Sequence, residues 1–260
     1  MEESMKNQVK QQFSRNAEKY VTSARHAKGE DLAWLVSCAR ANANMNVLDI
    51  ATGGGHVANA LAPLVRHVTA YDLTREMLEA AERFIGGNGY TNVSYVTGDA
   101  EQLPFEDESF DLVTCRIAAH HFTDIPVFAA EALRVATPGG KLLLIDNVAP
   151  EQDRLDQFYN DIEKCRDASH VRAWKKSEWI RLLESTGFRI EMAVCFPKPF
   201  QFQDWCERAG LPQMERDALE NKLLQSAEDE RRFFSIHANE EGRLISFSGE
   251  SVYIQAIRLE

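Results

Sequence analysis

Cysteine is sparse and unpatterned. Cys38, Cys115, Cys165, Cys195 and Cys206 are scattered through 260 residues without a CxxC pair. An odd number at such spacing builds neither a disulfide framework nor a structural zinc site. Long apolar runs are also missing: the longest aliphatic stretch lies near Leu142–Ile145, far short of the ~20 residues a membrane helix requires. Met1 to Tyr20 alternates acids, amides and bases and holds no apolar core of a secretory signal. The expectation is a soluble, cytoplasmic protein with no metal and no membrane insertion. Positive charge is the third deficit. Lys and Arg number 29 against 40 Asp and Glu, a net charge of −11, which argues against a general affinity for nucleic acid or anionic membrane. Internal repeats and low-complexity tracts are absent.

What is present reads as an ordinary globular chain, 44% hydrophobic and 27% charged, long enough to bury ~70–75% of its unfolded surface. Val9, Phe13, Ala17 and Tyr20 recur at helical spacing, as do Leu32, Leu35, Val36 and Ala39. From Asn46 the rhythm changes. Apolar strands at Val47–Ile50, Val68–Tyr71, Val93–Val96, Phe110–Cys115 and Lys141–Ile145 alternate with helical segments at His56–Leu64, Met77–Ile85 and Val127–Arg134. That alternation predicts right-handed βαβ units and a doubly wound α/β sheet, mostly parallel. Ser177–Thr186 reads as a helix capped by a Ser and closed by Gly187. Phe188–Phe196 and Ser251–Leu259 read as two further strands, an antiparallel pair at the sheet edge, which brings the sheet to seven strands. The expected organisation is one domain, 1–260: an N-terminal helical cap (1–45), a core (46–196), a helical insertion (197–249) and a last strand (250–260).

In such sheets ligands bind beyond the carboxyl ends of the strands, where strand order reverses. After the first strand comes Asp49-Ile50-Ala51-Thr52-Gly53-Gly54-Gly55, whose glycines let the backbone approach a ligand closely. Asp72 ends the second strand 23 residues after Asp49, where a carboxylate can accept hydrogen bonds from both hydroxyls of a ribose. Gly98-Asp99-Ala100 follows the third strand; an acid there can accept from an adenine amine. Gly53-x-Gly55-x-x-Ala58 also fits the loose dinucleotide fingerprint, so a nicotinamide-dependent oxidoreductase is one alternative. Asp49 weighs against it. An anionic pyrophosphate is poorly served by a carboxylate at its loop, and Ile50–Ala60 contains no Lys or Arg. An ammonium and a sulfonium beside a carboxylate suit that loop better.

Val47–Gly55, Tyr71-Asp72, Gly98–Phe105, Ser109–Cys115 and Pro138–Leu144 together resemble a class I S-adenosylmethionine-dependent methyltransferase, and more narrowly the ubiquinone/menaquinone-biosynthesis C-methyltransferase group. The resemblance covers Phe13 to Ile145 well and the last hundred residues poorly. It implies a Rossmann-like fold, S-adenosylmethionine as cofactor, and transfer of its methyl group to a small organic acceptor. It also implies roles. Asp49, Ala51, Gly53 and Gly55 match the donor loop; Asp72 matches the ribose acid, with Leu73 beside the adenine; Asp99 and Ala100 match the adenine contacts; Arg116 follows the strand that meets the donor's methionine part. Ala51 departs from the family's usual Gly, which is expected to crowd the loop.

Methyl transfer is an in-line displacement that positioning and exclusion of water accelerate, so a charged catalytic group is not obligatory. Where the acceptor must lose a proton, His120 and His121 are the candidates for a base. Adjacent side chains at such a junction point in different directions, so one of the two is expected to be packed. Adjacent histidines rarely share one metal ion, and no HxxxH or HxxxE spacing surrounds them. Tyr20, His26, Asn147, His170 and Arg172 are the candidate acceptor contacts. A non-catalytic protein that keeps the fold is the alternative from another class; a homodimer is left open.

Overall fold

Val47 and Leu48 are neighbours on one strand and both are fully buried, the mark of a strand covered on both faces. The computed structural model describes residues 2–14, 21 and 29–259. Helices α1 (Glu2–Ser14) and α2 (Glu30–Ala39) precede β1 (Asn46–Ile50). Then follow α3 (His56–Leu61), β2 (His67–Asp72), α4 (Arg75–Gly87), β3 (Val93–Thr97) and β4 (Phe110–Arg116). The chain continues through α5 (Ile125–Val135), β5 (Ala136–Val148), α6 (Asp153–Arg166), α7 (Lys176–Thr186) and β6 (Phe188–Gln201). Helices α8 (Phe202–Ala209), α9 (Gln213–Leu224) and α10 (Glu228–Phe233) lead to β7 (His237–Ala238) and β8 (Leu244–Arg258).

The strands order as β3-β2-β1-β4-β5-β8-β6, with the two-residue β7 paired to β8 off that path. β1 to β5 are parallel. Because side chains alternate along a strand, Leu48, Val113 and Leu144 enter one apolar layer with Phe128 and Ala132 of α5 and Trp179 of α7. Val47, Leu112 and Leu143 enter the other, with Leu35 of α2, Leu61 of α3 and Ala81 and Ile85 of α4. Strand order reverses between β1 and β4, and the crevice beyond their carboxyl ends opens there. Among the described residues no helix is long and apolar enough to cross a membrane.

The last two long strands form the expected antiparallel pair at the sheet edge, with β8 against β5 and β6 outermost. The C-terminal part otherwise differs from its sequence reading in the extent of its elements. Both strands are longer than expected, so the helical insertion spans the residues between Gln201 and Leu244 rather than 197–249. Pro197 and Pro199 lie within β6, where an edge strand tolerates prolines whose missing N–H would face away from the sheet; opposite them stand Glu250 and Ser248. The insertion also packs on a third apolar cluster, in which Phe202, Trp205, Leu219 and Phe234 meet Phe158 and Tyr159 of α6 and Phe247 of β8. That core is assembled from distant segments, so no local periodicity displays it. Helix α7 starts one residue earlier than its Ser suggests. The Glu178 carboxylate accepts from the Lys175 backbone N–H at 2.8 Å, while Ser177 donates instead to Glu151.

Gly55 begins α3 at φ +80°, and a Cβ there would lie 2.9 Å from both Ala81 Cβ and Ile85 Cδ1 of α4. Gly55→Ala is therefore expected to lower stability by about 2–4 kcal/mol, combining left-handed strain with overpacking. Urea unfolding checks this, and a midpoint equal to wild type would contradict the close packing of α3 on α4.

Candidate functional site

The site starts at the reversal between β1 and β4. Thr114 of β4 donates its hydroxyl to Asp49 Oδ1 of β1 at 2.7 Å, and Thr52 donates to Oδ2 at 2.6 Å. Asp49 is 1% exposed, and burial pushes its carboxyl up to about 6. The loop then turns through left-handed conformations at Ala51 (φ +53°) and Gly53 (φ +55°). For Ala51 the departure from Gly is thus felt as backbone strain. Asp72, at the end of β2, accepts from the backbone N–H of Gly53 at 2.9 Å and from that of Thr74 at 2.9 Å. One carboxylate so joins two loops. Burial pushes this carboxyl to about 6 as well, against the hydrogen bonds that Thr74, Gly53 and Leu73 give it.

Beyond β3 the wall continues through Gly98, Asp99 and Ala100. Tyr71 donates its hydroxyl to the Asp99 carbonyl at 3.0 Å, and a Cβ on Gly98 would fall 2.0 Å from that hydroxyl oxygen. Only Gly fits there. Helix α1 lies across the opening. Lys6 Nζ stands 2.6 Å from both Asp99 Oδ2 and Glu101 Oε2, and Val9 and Phe13 of α1 also face the cavity. Asp49, Ala51, Gly53, Asp72, Leu73, Asp99, Ala100 and Arg116 all border this one cavity. Gly55 does not line it but sets the start of α3 behind the loop. The cradle fits a nucleoside with a short charged tail: turned backbone at one end, two strand-end acids, and apolar Leu73, Met77 and Ala100 between them.

A second cavity adjoins the first and shares Phe13, Arg116, Ile117 and His121 with it. Ile117 is held at φ +55°, a conformation β-branched residues seldom adopt and one that clusters at functional sites. Arg116 binds Asp31 of α2 at 2.7 Å. The far wall comes from the insertion and the ends of the last two long strands: Phe196, Lys198, Phe200 and Trp205, with Arg166 of α6. Arg166 lies over the Trp205 ring, and Lys198 donates to Asn147 Oδ1.

Asn147, His120 and His121 border this second cavity as expected. Two other expectations fail. Arg172 borders neither cavity and is paired instead with Asp156 and Glu178 at 3.1 and 3.0 Å. His170 is 1% exposed, bonds Asn160 Oδ1 at 2.9 Å, and is pushed down to about 2 by burial. The turn after α6 folds both away from the cavity. Tyr20 and His26 lie outside the described residues. Sequence reading missed Lys6, Thr114 and Lys198, which arrive from elements far apart in the chain. The one available signal was Thr114, a polar residue inside the apolar run of β4. Among the described residues no cluster of His, Cys, Asp and Glu could hold a metal ion.

The family model that matches is the methyltransferase domain, over residues 48–144. The chain is 38% identical over 246 residues to YcgJ of Bacillus subtilis (strain 168), named an uncharacterized methyltransferase, covering 95% of this chain and 97% of that protein. It is 34% identical over 194 residues to a demethylmenaquinone methyltransferase of Clavibacter sepedonicus, 74% of this chain and 76% of the other. A crystal structure of a Bacillus halodurans C-125 protein, proposed to be a methyltransferase, superimposes with a TM-score of 0.87 at 50% identity, covering 89% of this chain and 100% of that one.

The Asp49 proton gives a stability test. The unfolded chain releases it near pH 3.8 and the folded chain near pH 6. This contribution to stability is therefore complete below pH 3.8 and lost as pH rises through 6. Asp49→Asn is expected to flatten that part of the pH–stability curve by up to about 3 kcal/mol. Urea midpoints of both proteins at low and neutral pH check it; a difference that does not change with pH would contradict the burial of this carboxyl.

Proposed function

We infer that this chain, which belongs to the class I S-adenosylmethionine-dependent methyltransferases, moves the donor's methyl group to a small organic acceptor held in the second cavity. Family membership sets aside the nicotinamide-dependent oxidoreductase and the non-catalytic protein as readings of the fold. The observation that carries the proposal is the shared wall: Phe13, Arg116, Ile117 and His121 border both cavities, so a group bound in one reaches a group bound in the other. When bound, S-adenosylmethionine supplies an electrophilic methyl carbon on a sulfonium.

The chain's own part is to hold and to enclose. Asp72, which borders the first cavity at the end of β2, accepts from the ribose hydroxyls. Leu73 and Ala100 pack the adenine, and Asp99 accepts from its amine. The turned backbone at Ala51–Gly53 and the strained backbone at Ile117 border the methionine end. Helix α1 and the insertion then cover the two cavities and keep water from the reacting atoms, where alignment of the reactants supplies much of the acceleration. A small acceptor rather than nucleic acid suits a net charge of −11, and a cytoplasmic site of action goes with it.

Calorimetric titration with S-adenosylmethionine, its demethylated product and NADH tests the reading. The first two are expected to bind and NADH is not. Asp72→Ala is expected to weaken donor binding by roughly 10–100-fold, the loss of one or two charge-assisted hydrogen bonds. Unchanged affinity in a folded variant would remove Asp72 from the ribose.

A further inference from the structure

We propose that His120 abstracts the acceptor's proton, that Asp146 is its positioning residue, and that the acceptor therefore carries a dissociable proton on the atom to be methylated. The proposal rests on the methyl-transfer reading of the two cavities. Asp146 lies near the end of β5 and is 1% exposed. Its Oδ1 is 2.6 Å from His120 Nδ1 and accepts from the Asn147 backbone N–H at 2.7 Å; its Oδ2 accepts from the His120 backbone N–H at 2.8 Å. Three bonds leave the carboxylate a single orientation. A carboxylate facing Nδ1 places the ring proton there and the lone pair on Nε2. Nε2 has no hydrogen-bond partner among the described residues, the side chain is nine-tenths buried, and His120 borders the second cavity but not the first.

The surroundings keep the pair in the working form. Burial pushes His120 well below its ordinary value and Asp146 up to about 6, so above that pH a neutral imidazole faces an ionised carboxylate. His121, His170, Lys198, Arg166 and Asp167 are the other charged or titratable groups acting on the ring. His121 is the weaker candidate. Its Nδ1 meets the Ser169 carbonyl at 3.0 Å and its ring packs edge-on against Phe13; Asp146 and Asp167 act on it, but no carboxylate is bonded directly to its ring as Asp146 is to His120. In the step itself the acceptor's X–H bond breaks and the proton passes to Nε2. The freed electron pair forms the bond to the methyl carbon, and the pair of the breaking C–S bond stays on sulfur. Asp146 offsets the imidazolium until it returns its proton to water.

His120→Asn keeps an N–H toward Asp146 and deletes Nε2. Calorimetry with S-adenosylmethionine comes first, since wild type that fails to bind it refutes the methyl-transfer reading rather than this one. Methyl transfer is then measured with phenols, thiols and anilines of graded acidity, beside tertiary amines and thioethers that have no proton to lose. Wild type is expected to methylate the proton-bearing set. The variant is expected to bind the donor as wild type does and to lose roughly 10²–10⁴-fold in kcat on weak acids. The loss should shrink on acceptors already ionised at the assay pH. Long-range ¹H–¹⁵N NMR of His120 reads the tautomer directly: protonated Nδ1 in wild type, shifted toward protonated Nε2 in Asp146→Asn. Any of three results overturns the proposal: an equal loss across the acidity series, methylation of proton-free acceptors alone or of none, or a wild-type ring protonated on Nε2.

Discussion

The hydrogen bond between Thr114 and Asp49 spans the place where the order of the parallel strands turns back on itself. Right-handed crossovers carry the chain from β1 outward through β2 and β3, and then from β4 outward in the opposite direction. These crossovers leave open the gap beyond the carboxyl ends of β1 and β4, where the paired strands set Asp49 opposite Thr114. Asp49 accepts from a hydroxyl on each side of that gap. It thereby fixes the direction in which the loop leaves β1, and every later contact with a ligand depends on that direction.

Buried carboxylates recur at strand ends: Asp49 on β1, Asp72 on β2 and Asp146 on β5. All three are pushed to about 6 by burial, so each costs free energy when ionised, and each is offset by two or three donors. They divide the labour by what those donors are. Asp49 holds side-chain hydroxyls and sets a loop. Asp72 holds backbone amides of two loops and borders the first cavity. Asp146 holds a histidine and turns its free nitrogen toward the second. The same carboxyl ends of a parallel sheet so carry one acid that sets a loop, one that lines a cavity and one that orients a histidine.

Cover comes from the ends of the chain's path. Lys6 ties α1 to Asp99 and Glu101 over the first cavity. The insertion packs on α6 and on the prolonged ends of β6 and β8, and closes the second. The long antiparallel strands carry that cover: Phe196, Lys198 and Phe200 reach the second cavity because β6 continues to Gln201.

The sequence alone determined the sheet and the donor loop, because both are local. A strand buried on both faces needs only a short apolar run, and a turn with positive φ favours glycine, as at Gly53 and Gly55; Val47–Gly55 contains both. Asp72 and Asp99 were legible for the same reason, since strand ends can be counted along the chain. Tertiary structure decided the acceptor side. His170 and Arg172 are candidate acceptor contacts by sequence, yet the turn after α6 commits one to Asn160 and the other to Asp156 and Glu178. Lys6, Lys198 and the His120–Asp146 pair come together across 26 to 93 positions of sequence. No periodicity encodes such pairings, because they depend on where whole elements pack and not on the rhythm within any one of them.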